Sequence, residues 1–408
     1  MKIAIISSGF LPVVDGVSVA VFHRLQQLSQ RGHYVLLLCP DYSALQHLYP
    51  DWQTYIGHLF PNVTVVPLES SPALGLDFER DVKPSAYRTV LSELQSFGPD
   101  IIHVDEPERL AFCFLKRPGI AYARKYNIPC ISFFHTNYSD YLSDYVNWPK
   151  PVVFGVQSLL KGLFGWIYRA YDVTLVASPT TAENVRRMGI KNTVQDCFLG
   201  LDVSSYRSAQ RTPNFFEETF GLEGIEDTTK LIFVGRLTPD KGWAFTVRAL
   251  TQWAKVANPD HVSVIIVGDG PLRDSLEQEL RAILPHVYCL GRVPIDKMPA
   301  VYVNSDIHVT TSEKETTGLT VLEAGAAGLP VIAPRAGGVV DHIEHGRSGF
   351  LYRPQDQDDF VTKLKFLVEN ATARADLGNC GREKAASYDW GNVVERLLYL
   401  WGEQIHLR

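Results

Sequence analysis

Short apolar runs alternate with amphipathic segments along the first half of the chain. The runs are rich in Val, Ile and Leu, as in "KIAIIS", "YVLLLCP", "VTVVPL", "DIIHVD", "PCISFFH" and "VTLVAS". Continuous apolar runs of this length are typical of strands that are buried on both faces of a parallel sheet. The segments between them carry apolar residues at helical spacing, for example over residues 19–31. The alternation predicts an α/β unit with a doubly wound parallel sheet.

The same pattern restarts in the second half of the chain. It follows a polar stretch over residues 203–228 that has no long periodic run. The later apolar runs are "LIFVGR", "SVIIVGDG", "HVYCLGRV", "DIHVTTS" and "LPVIAPR". We therefore predict two Rossmann-like units, residues 1–205 and residues 206–389. Ligands of such sheets bind beyond the carboxyl ends of the strands, so two units that face each other would line a cleft with strand-end loops.

Composition narrows the class of protein. Hydrophobic residues make up 46% of the 408 residues, which is enough for two packed domains. The formal net charge is −6 and neither half is basic, so we expect no nucleic-acid partner. Six scattered cysteines without a Cys-x-x-Cys pair predict reduced thiols in a cytoplasmic protein, with no disulfide framework and no structural zinc.

Neither a signal peptide nor a membrane span is expected. The N-terminal "MKIAIISS" leads directly into a predicted strand and has no signal-peptide pattern. The longest apolar stretch, residues 152–168, contains Gln157 and Lys161. It also falls short of the roughly 20 apolar residues that a transmembrane helix needs.

Two cations follow the first predicted strand of the second half. The segment "FVGRLTPDKGW", residues 233–243, places Arg236 and Lys241 on a loop beside Gly235 and Gly242. A planar guanidinium and a compact ammonium at the carboxyl end of a strand suit a diphosphate. Alternatively, both are solvated loop cations.

A glycine-rich turn follows the next predicted strand. The segment "VGDGPLRDSL", residues 267–276, has the order strand, Gly-x-Gly turn and helix, beginning with Gly268. Glycines allow a tight turn and a close approach of the backbone to a ligand. The Gly-x-Gly-x-x-Gly pattern is not completed, so a tight turn without a ligand is the alternative.

Two acidic residues lie in the mostly small and apolar segment "SEKETTGLTVLEAGAAGLPVIAP", residues 312–334. We predict a helix that begins near Gly318 and Leu319, where free backbone N–H groups could bind an anion. Glu323 lies just over one turn into this helix, and Glu315 lies on the loop before it. A buried carboxylate needs partners, and hydroxyl groups of a ligand would serve. A nucleotide sugar, with phosphates in the middle and hydroxyls on both sides, fits these features. The alternative is a capped helix whose Glu binds neighbouring backbone.

Strand ends in the first half also carry polar residues. Asp15 and Gly16 precede the first predicted helix, and Gly16 would allow a phosphate or sugar to approach the backbone. Asp105 follows a second strand in "HVDEP", and His135 follows a third in "SFFHTNYSDY", three residues before Tyr138. A single His at a strand end is compatible with a structural role as well as a catalytic one.

Taken together, these motifs resemble those of the retaining GT-B glycosyltransferases of family 4. The resemblance is carried by "FVGRLTPDKGW", "VGDGPL", "LGRVP", the Glu315-to-Glu323 spacing and "AAGLPVIAPRAGG". It extends to "FLPVVDGVS", "FFHTNY" and the "YDWGNVVERLL" tail, and so covers nearly the whole chain. It implies the GT-B fold, with the C-terminal helix of residues 390–408 packed on the first unit.

The resemblance implies a role for each candidate of the second unit. Arg236 and Lys241 would bind the donor diphosphate and stabilise the leaving group. Glu323 would hold the ribose hydroxyls and Glu315 the hydroxyls of the sugar. The remaining donor-binding positions would be Gly235, Gly268, Val293, Thr317, Gly318 and Leu319.

In the first unit, the resemblance implies that Gly16 faces the diphosphate and the sugar. His135 would touch the sugar at the reacting face, and we count it as catalytic together with Arg236, Lys241 and Glu315. For the acceptor side we name Asp15, Asp105 and Tyr138.

The resemblance further implies transfer with retention of the anomeric configuration, by front-face attack, without a metal or other cofactor. The sequence departs from many relatives, since Thr317-Gly318 stands for Phe-Gly and Asp15-Gly16 for a pair of glycines. These departures resemble the branch of sulfoquinovosyl- and glycosyl-diacylglycerol synthases and certain mannosyltransferases.

Residues 135–172 are the informative stretch for the acceptor. Several Tyr and Trp precede an apolar helical pattern that carries Lys150, Lys161 and Arg169. Such a helix could lie in a membrane interface and admit a lipid, with the enzyme bound peripherally at the inner membrane face. The alternative is an ordinary helix that is buried against the sheet.

We therefore predict a hexosyltransferase that uses a nucleotide sugar of the UDP-glucose type and a lipid acceptor such as diacylglycerol. GDP-mannose as donor, or a soluble acceptor such as a pterin or polyol, are the alternatives. A nucleotide-sugar epimerase would need acid and base groups around the sugar C2, which the two Glu residues do not suggest. A non-catalytic binding subunit is disfavoured by the intact set of Arg, Lys and two Glu.

Overall fold

The computed structural model describes residues 1–73 and 76–408, which divide into two compact units. The first unit comprises residues 1–139, 150–200 and 390–408. The second unit comprises residues 140–149 and 201–389. The boundary therefore follows Gly200, five positions before the one expected from the sequence, and the second unit also receives the segment 140–149.

A mostly parallel sheet forms the centre of the first unit. Its order is β10-β9-β8-β7-β1-β2-β4-β3, in which β3 runs antiparallel to β4 and the other described pairs run parallel. Strands β5 and β6 form a separate antiparallel pair. The strands are β1 (Lys2–Ser7), β2 (Tyr34–Pro40), β3 (Gly57–Phe60), β4 (Val63–Leu68), β5 (Ser70–Ala73), β6 (Leu76–Val82), β7 (Ile101–Asp105), β8 (Cys130–Phe133), β9 (Val173–Val176) and β10 (Thr193–Gln195).

Helices alternate with these strands, as the sequence pattern predicts. They are α1 (Gly16–Gln30), α2 (Tyr87–Phe97), α3 (Pro107–Phe114), α4 (Ile120–Tyr126), α5 (Tyr138–Tyr145), α6 (Lys150–Tyr168) and α7 (Pro179–Arg187). Helix α5 belongs to the second unit from residue 140 onward. Helix α1 begins at an N-cap, since Asp15 Oδ1 accepts a hydrogen bond of 2.7 Å from the backbone N–H of Ser18.

The second unit has a six-stranded parallel sheet in the order β13-β12-β11-β14-β15-β16. This is the 3-2-1-4-5-6 order of Rossmann sheets. Its strands are β11 (Thr229–Val234), β12 (Val262–Val267), β13 (Val287–Gly291), β14 (Ile307–Val309), β15 (Val331–Pro334) and β16 (Gly349–Tyr352). Its helices are α8 (Val203–Ser208), α9 (Phe215–Phe220), α10 (Trp243–Trp253), α11 (Arg273–Arg281), α12 (Met298–Val303), α13 (Leu319–Ala327), α14 (Gln357–Glu369) and α15 (Ala371–Ala385).

Both faces of the second sheet are buried, which explains the continuous apolar runs. On β11, Leu231 and Phe233 belong to one hydrophobic core, whereas Ile232 belongs to the core on the opposite face. A strand that is covered by helices on both faces has no solvent-facing positions and hence no polar alternation. The predicted α/β class with two doubly wound sheets is confirmed.

The last helix, α16 (Trp390–His406), belongs to the first unit. The Trp390 ring stacks on His23 of α1 with 5.7 Å between ring centroids. Trp401 is fully buried, and its ring lies 5.4 Å from that of His103 on β7. These aromatic contacts hold the C-terminal helix on the sheet of the first unit.

Helix α6 is fully buried only near its C-terminal end, and Val153, Val156 and Leu160 are half-buried on one side before it. Phe164, Ile167 and Tyr168 are buried, whereas none of the described residues 150–162 is. Leu160 and Leu163 pack against hydrophobic cores of the first unit. The alternative of a helix buried against its own unit therefore holds for one side of α6, while the other side is exposed. Among the described residues, no helix combines the length and the apolar content that crossing a membrane requires.

Candidate active site

Strand order in the second unit reverses between β11 and β14, which are neighbours in the sheet. The loop after β11, residues 235–242, and the loop after β14, residues 310–318, therefore leave the same edge of the sheet side by side. We call these two loops the switch-point site, because ligands of open α/β sheets bind where the strand order reverses.

Four charged side chains meet at the switch-point site. Lys241 Nζ lies 2.7 Å from Glu315 Oε1, although the two residues are 74 positions apart. Asp240 Oδ2 lies 3.7 Å from Arg236 Nη2 and 4.0 Å from Lys241 Nζ. The Asp240 side chain has no solvent exposure, so the two predicted cations share a buried counter-ion.

The carboxylates at this site are held in their charged form. Burial favours the protonated acid, but Lys241 outweighs it and holds the pKa of Glu315 below its ordinary value. Burial acts in the same sense on Asp240, and there Lys241 and Arg236 together hold the pKa below its ordinary value. The site therefore keeps two cations and two anions at fixed positions near neutral pH.

Segment 140–149 contributes to the same site. The Tyr145 hydroxyl donates a hydrogen bond of 2.7 Å to Asp240 Oδ1, and Lys314 Nζ donates one of 2.5 Å to Asp144 Oδ2. None of these partners was predicted from the sequence. Asp240 lies inside the quoted cationic loop, next to Lys241, which was the available signal. Nothing in the sequence pattern links Tyr145 to that loop.

Two of the predicted donor-binding glycines are required by close packing. A Cβ atom on Gly268 would lie 1.9 Å from the carbonyl oxygen of Gly235. Gly318 has a φ of 84°, and a Cβ atom there would lie 2.6 Å from Val339 Cγ1. The tight-turn explanation is thus sufficient for Gly268, because the neighbouring backbone excludes any side chain.

Helix α13 begins at Gly318, where no side chain caps the helix. The backbone N–H groups of its first turn carry the positive end of the helix dipole. Thr317, just before it, is buried, and Glu315 lies three residues before Gly318. The alternative of a side-chain-capped helix is therefore wrong for α13.

Glu323 lies in the second turn of α13, about 6 Å along the axis from Leu319 at 1.5 Å per residue. The Tyr302 hydroxyl donates a hydrogen bond of 2.9 Å to Glu323 Oε2. Burial raises the pKa of Glu323 to about 7, and this hydrogen bond opposes the rise. Val293, one of the predicted donor-binding positions, is buried within the hydrophobic core of the unit.

In the first unit, polar residues gather where β1 and β7 are neighbours. Asp105 Oδ2 lies 3.0 Å from Arg24 Nη1, and Asp105 Oδ1 lies 2.6 Å from His135 Nε2. His103 Nε2 lies 3.3 Å from Asp105 Oδ1. Burial disfavours the Asp105 carboxylate, but Arg24 and His103 hold the pKa of Asp105 well below its ordinary value. Burial also lowers the pKa of His103, to about 4.

The prediction that Asp105 faces the acceptor does not agree with this geometry. Its side chain has no exposure, and its carboxylate is occupied by Arg24, His103 and His135. Asp105 therefore orients the His135 ring. Arg24 was missed, although a cation among the apolar positions of α1, between Val21 and Leu25, was a readable signal of a buried partner.

A second acidic group lies beside this cluster. Glu106 Oε2 accepts hydrogen bonds of 2.5 Å from the Ser8 hydroxyl and 3.0 Å from the Tyr138 hydroxyl. Tyr138 thus contributes its hydroxyl to Glu106.

Asp15 caps α1, while Gly16 is exposed at the start of that helix. Asp15 and Gly16, the two other candidates of the first unit, therefore lie at the N-terminus of α1.

Among the described residues, no group of three or more His, Cys, Asp and Glu side chains is arranged to hold a metal ion. The expectation that the reaction needs no metal stays a prediction. All six cysteines carry free thiols.

Two domain families match the chain. Residues 14–196 match Glycosyltransferase Family 4, and residues 228–370 match Glycosyl transferases group 1. The structure is similar to that of sucrose-phosphate synthase from Thermosynechococcus elongatus, with a TM-score of 0.78, 19% identity and coverage of 100% of both chains.

Two curated relatives are similar in sequence. The sulfoquinovosyl transferase SQD2 of Arabidopsis thaliana is 30% identical over 317 residues, 76% of this chain and 57% of the plant protein. The chain therefore spans little more than half of that relative. A GDP-mannose-dependent alpha-mannosyltransferase of Mycolicibacterium smegmatis is 28% identical over 411 residues, 98% of this chain and 96% of the relative.

Proposed function

Because the chain belongs to the GT-B glycosyltransferases that join a Family 4 domain to a group 1 domain, we propose that it transfers a hexose from a nucleotide sugar to an acceptor hydroxyl. The observation that carries this proposal is the 2.7 Å contact between Lys241 Nζ and Glu315 Oε1 beside the N-terminus of α13. A cation, a carboxylate and free helix N–H groups together match a phosphate that is bonded to a hydroxyl-rich sugar.

The proposed chemistry is stabilisation of the leaving nucleoside diphosphate. Negative charge develops on the phosphate as the glycosidic bond breaks, and Arg236 and Lys241 are already fixed by Asp240 to meet it. Asp240 is a positioning residue in this scheme, and Tyr145 supports it through its hydroxyl. Following the family resemblance, we propose front-face attack by the acceptor hydroxyl with retention of configuration. The departing phosphate accepts the proton of that hydroxyl, and His135 lies near the reacting carbon.

We propose a donor of the UDP-glucose type. Thr317-Gly318 and Asp15-Gly16 resemble the branch that contains sulfoquinovosyl transferases, and the similarity to the Arabidopsis thaliana protein agrees with this. GDP-mannose is the second candidate, because the mycobacterial mannosyltransferase is similar over 96% of its own length.

Calorimetric binding of UDP, GDP and ADP, followed by their sugars, tests the proposal. Selective binding of UDP supports a donor of the UDP-glucose type. Selective binding of GDP supports GDP-mannose as donor, and hence mannosyl transfer. Failure of a well-folded protein to bind any nucleotide would overturn the transferase proposal itself.

For the acceptor we propose a lipid such as diacylglycerol, met at the inner face of the membrane by a cytoplasmic enzyme. The free cysteines support a reducing compartment, and the exposed side chains of Phe154 and Leu159 on α6 support a lipid. A soluble acceptor, such as a pterin or polyol, would not explain why those apolar side chains are exposed.

The two glutamates are expected to act on different parts of the donor. Glu323→Ala should weaken binding of the free nucleoside diphosphate about tenfold to hundredfold, because charged hydrogen bonds to the ribose hydroxyls are lost. Glu315→Ala should change that affinity less than about threefold and instead damage sugar transfer. Calorimetry with the nucleoside diphosphate, next to transfer assays with the sugar donor, measures both.

Glu313→Ala is the matched control, because this residue is on the same loop and its carboxylate accepts from Gln355. Since burial raises the pKa of Glu323 to about 7, nucleotide affinity should fall as the pH drops below 7 and the carboxylate becomes protonated. Glu323→Gln should lose this pH dependence. Equal loss of free nucleotide affinity in the Glu315 and Glu323 variants would contradict the division of roles.

A further inference from the structure

The sheet of the first unit also reverses its strand order. On one side of β1 lie β2, β4 and β3, and on the other side lie β7, β8, β9 and β10. The reversal therefore lies between β1 and β7, where Ser7 pairs with Asp105. Ligands of open α/β sheets bind beyond the carboxyl ends of the strands at such a point. The residues that follow β1 and β7 are therefore candidates for a second binding site.

Glu106 follows β7 at this point, and its carboxylate is buried without a cation. The residue is 2% exposed. Among the described residues it forms no ion pair, since its partners are the Ser8 hydroxyl at 2.5 Å and the Tyr138 hydroxyl at 3.0 Å. By contrast, the buried carboxylates of Asp105 and Asp240 each lie beside a guanidinium. A carboxylate can accept about four hydrogen bonds, so Glu106 has room for a further donor.

The backbone of Glu106 is held in an uncommon conformation. Its φ is 50° and its ψ is 59°, in the left-handed region that residues with a Cβ atom seldom adopt. Such conformations cluster at binding and catalytic positions, where the surrounding structure maintains them. Here the conformation directs the carboxylate toward Ser8, at the end of the neighbouring strand.

A second buried polar group lies beside Ser8. Ser18, in the first turn of α1, has no exposure, and its hydroxyl has no hydrogen-bond partner among the described residues. It faces Gly9, the residue after Ser8, since a Cβ atom on Gly9 would lie 3.7 Å from Ser18 Oγ. Buried hydroxyls are nearly always hydrogen-bonded, so an oxygen atom of a ligand is a fitting partner for Ser18. We call Ser8, Ser18, Glu106 and Tyr138 the Glu106 site.

The charge around the Glu106 site is negative. Glu79 and Asp81 on β6 share one cation, Arg109, at 3.0 Å and 2.9 Å. The Arg109 guanidinium also interacts electrostatically with Glu106, so these three carboxylates share one guanidinium. A phosphate group of a ligand would be repelled here, whereas an uncharged alcohol could donate a hydrogen bond without repulsion.

We propose that Glu106 selects the acceptor. Its carboxylate accepts a hydrogen bond from a hydroxyl group of an uncharged alcohol, and the surrounding carboxylates exclude acceptors that carry a phosphate. Ser8 and Tyr138 hold the carboxylate in place, and Ser18 donates to a second oxygen of the acceptor. Glu106 binds the acceptor in this scheme and takes no proton from it. The inference rests on the proposed function, to which it adds the charge class of the acceptor and the residue that recognises it.

Two matched pairs of acceptors test the selection. Monooleoylglycerol is compared with its phosphate ester, and glycerol with glycerol phosphate, so that lipid and soluble sources of the same alcohol are distinguished. Release of nucleoside diphosphate, from the sugar donor that calorimetry selects, gives kcat/KM for each acceptor. We expect the uncharged member of a pair to be preferred at least about tenfold.

Glu106→Gln keeps the size of the side chain and removes its charge. It should raise the KM for the preferred acceptor about tenfold, because a hydrogen bond to a charged group is lost, and change kcat less than about threefold. The preference over the phosphate ester should fall about tenfold as well. Affinity for the nucleoside diphosphate should be unchanged. A partial loss of folded protein would not alter the ratio between two acceptors.

Glu108→Gln serves as the control, because this glutamate is buried to the same degree and also accepts a hydrogen bond from a tyrosine hydroxyl, that of Tyr168. It should keep both the KM and the preference. The inference is overturned by equal use of both members of each pair, by unchanged values in Glu106→Gln, or by the same changes in Glu108→Gln. It also fails if nucleotide binds but no acceptor of either pair is used, whereas absence of nucleotide binding would overturn the proposed function itself.

Discussion

Lys241→Ala is expected to lower the rate constant of hexosyl transfer about 10²- to 10³-fold, the size of effect seen when a fixed group that stabilises developing charge is removed. Lys241 Nζ lies 2.7 Å from Glu315 and 4.0 Å from Asp240, so the ammonium is already positioned before the substrate arrives. A water molecule in its place would have to reorient during the reaction. Release of nucleoside diphosphate from the sugar donor, with vesicles that contain dioleoylglycerol as acceptor, measures the rate.

Lys363→Ala is the matched control for this experiment. Its side chain is 16% exposed, against 17% for Lys241, and it also pairs with a carboxylate, that of Asp359 on α14. The control should keep its rate within about twofold, because a surface ion pair contributes little to stability. Lys241→Arg should recover part of the activity, since it keeps the charge and changes its shape. A near-normal rate in Lys241→Ala would show that the leaving group is stabilised elsewhere.

Arg24→Met is expected to reduce the free energy of unfolding by about 3–5 kcal/mol, the cost of leaving a buried charge without its partner. Arg24 and Asp105 both have zero side-chain exposure, and Arg24 Nη1 lies 3.0 Å from Asp105 Oδ2. Without the guanidinium, the carboxylate keeps only His103 and His135 as its described partners. Urea unfolding, followed by far-ultraviolet circular dichroism, measures the loss.

Arg187→Met provides the comparison with a surface pair. Arg187 and Glu183 form an i,i+4 ion pair in which both side chains are largely exposed, and its loss should cost less than about 1 kcal/mol. Arg24→Met combined with Asp105→Asn should be more stable than Arg24→Met alone, because no uncompensated charge remains. Equal free energies of unfolding for Arg24→Met and Arg187→Met would contradict this expectation. They would mean that the two histidines alone compensate the charge of the Asp105 carboxylate.

The strands and their ends could be read from the sequence because each depends on a few neighbouring residues. The run "LIFVG" predicts a buried strand, and it places Arg236 just beyond the carboxyl end of β11. The helix after Gly318 follows in the same way from small and apolar residues that are bounded by glycines. These local signals were sufficient for the α/β class and for Arg236, Lys241 and Glu315 of the switch-point site, but not for Asp240.

The tertiary structure alone decided which strand ends are neighbours and which polar groups are buried. Strand order brings Lys241 to Glu315 across 74 positions, and Arg24 to Asp105 across 81. No local pattern encodes the order of strands in a sheet, since every buried parallel strand looks alike in sequence. For the same reason, the sequence did not determine whether the side chain of Phe154 is exposed. An apolar helix reads identically whether its domain covers it or leaves it to a membrane, because burial is the sum of contacts with residues far away in the chain.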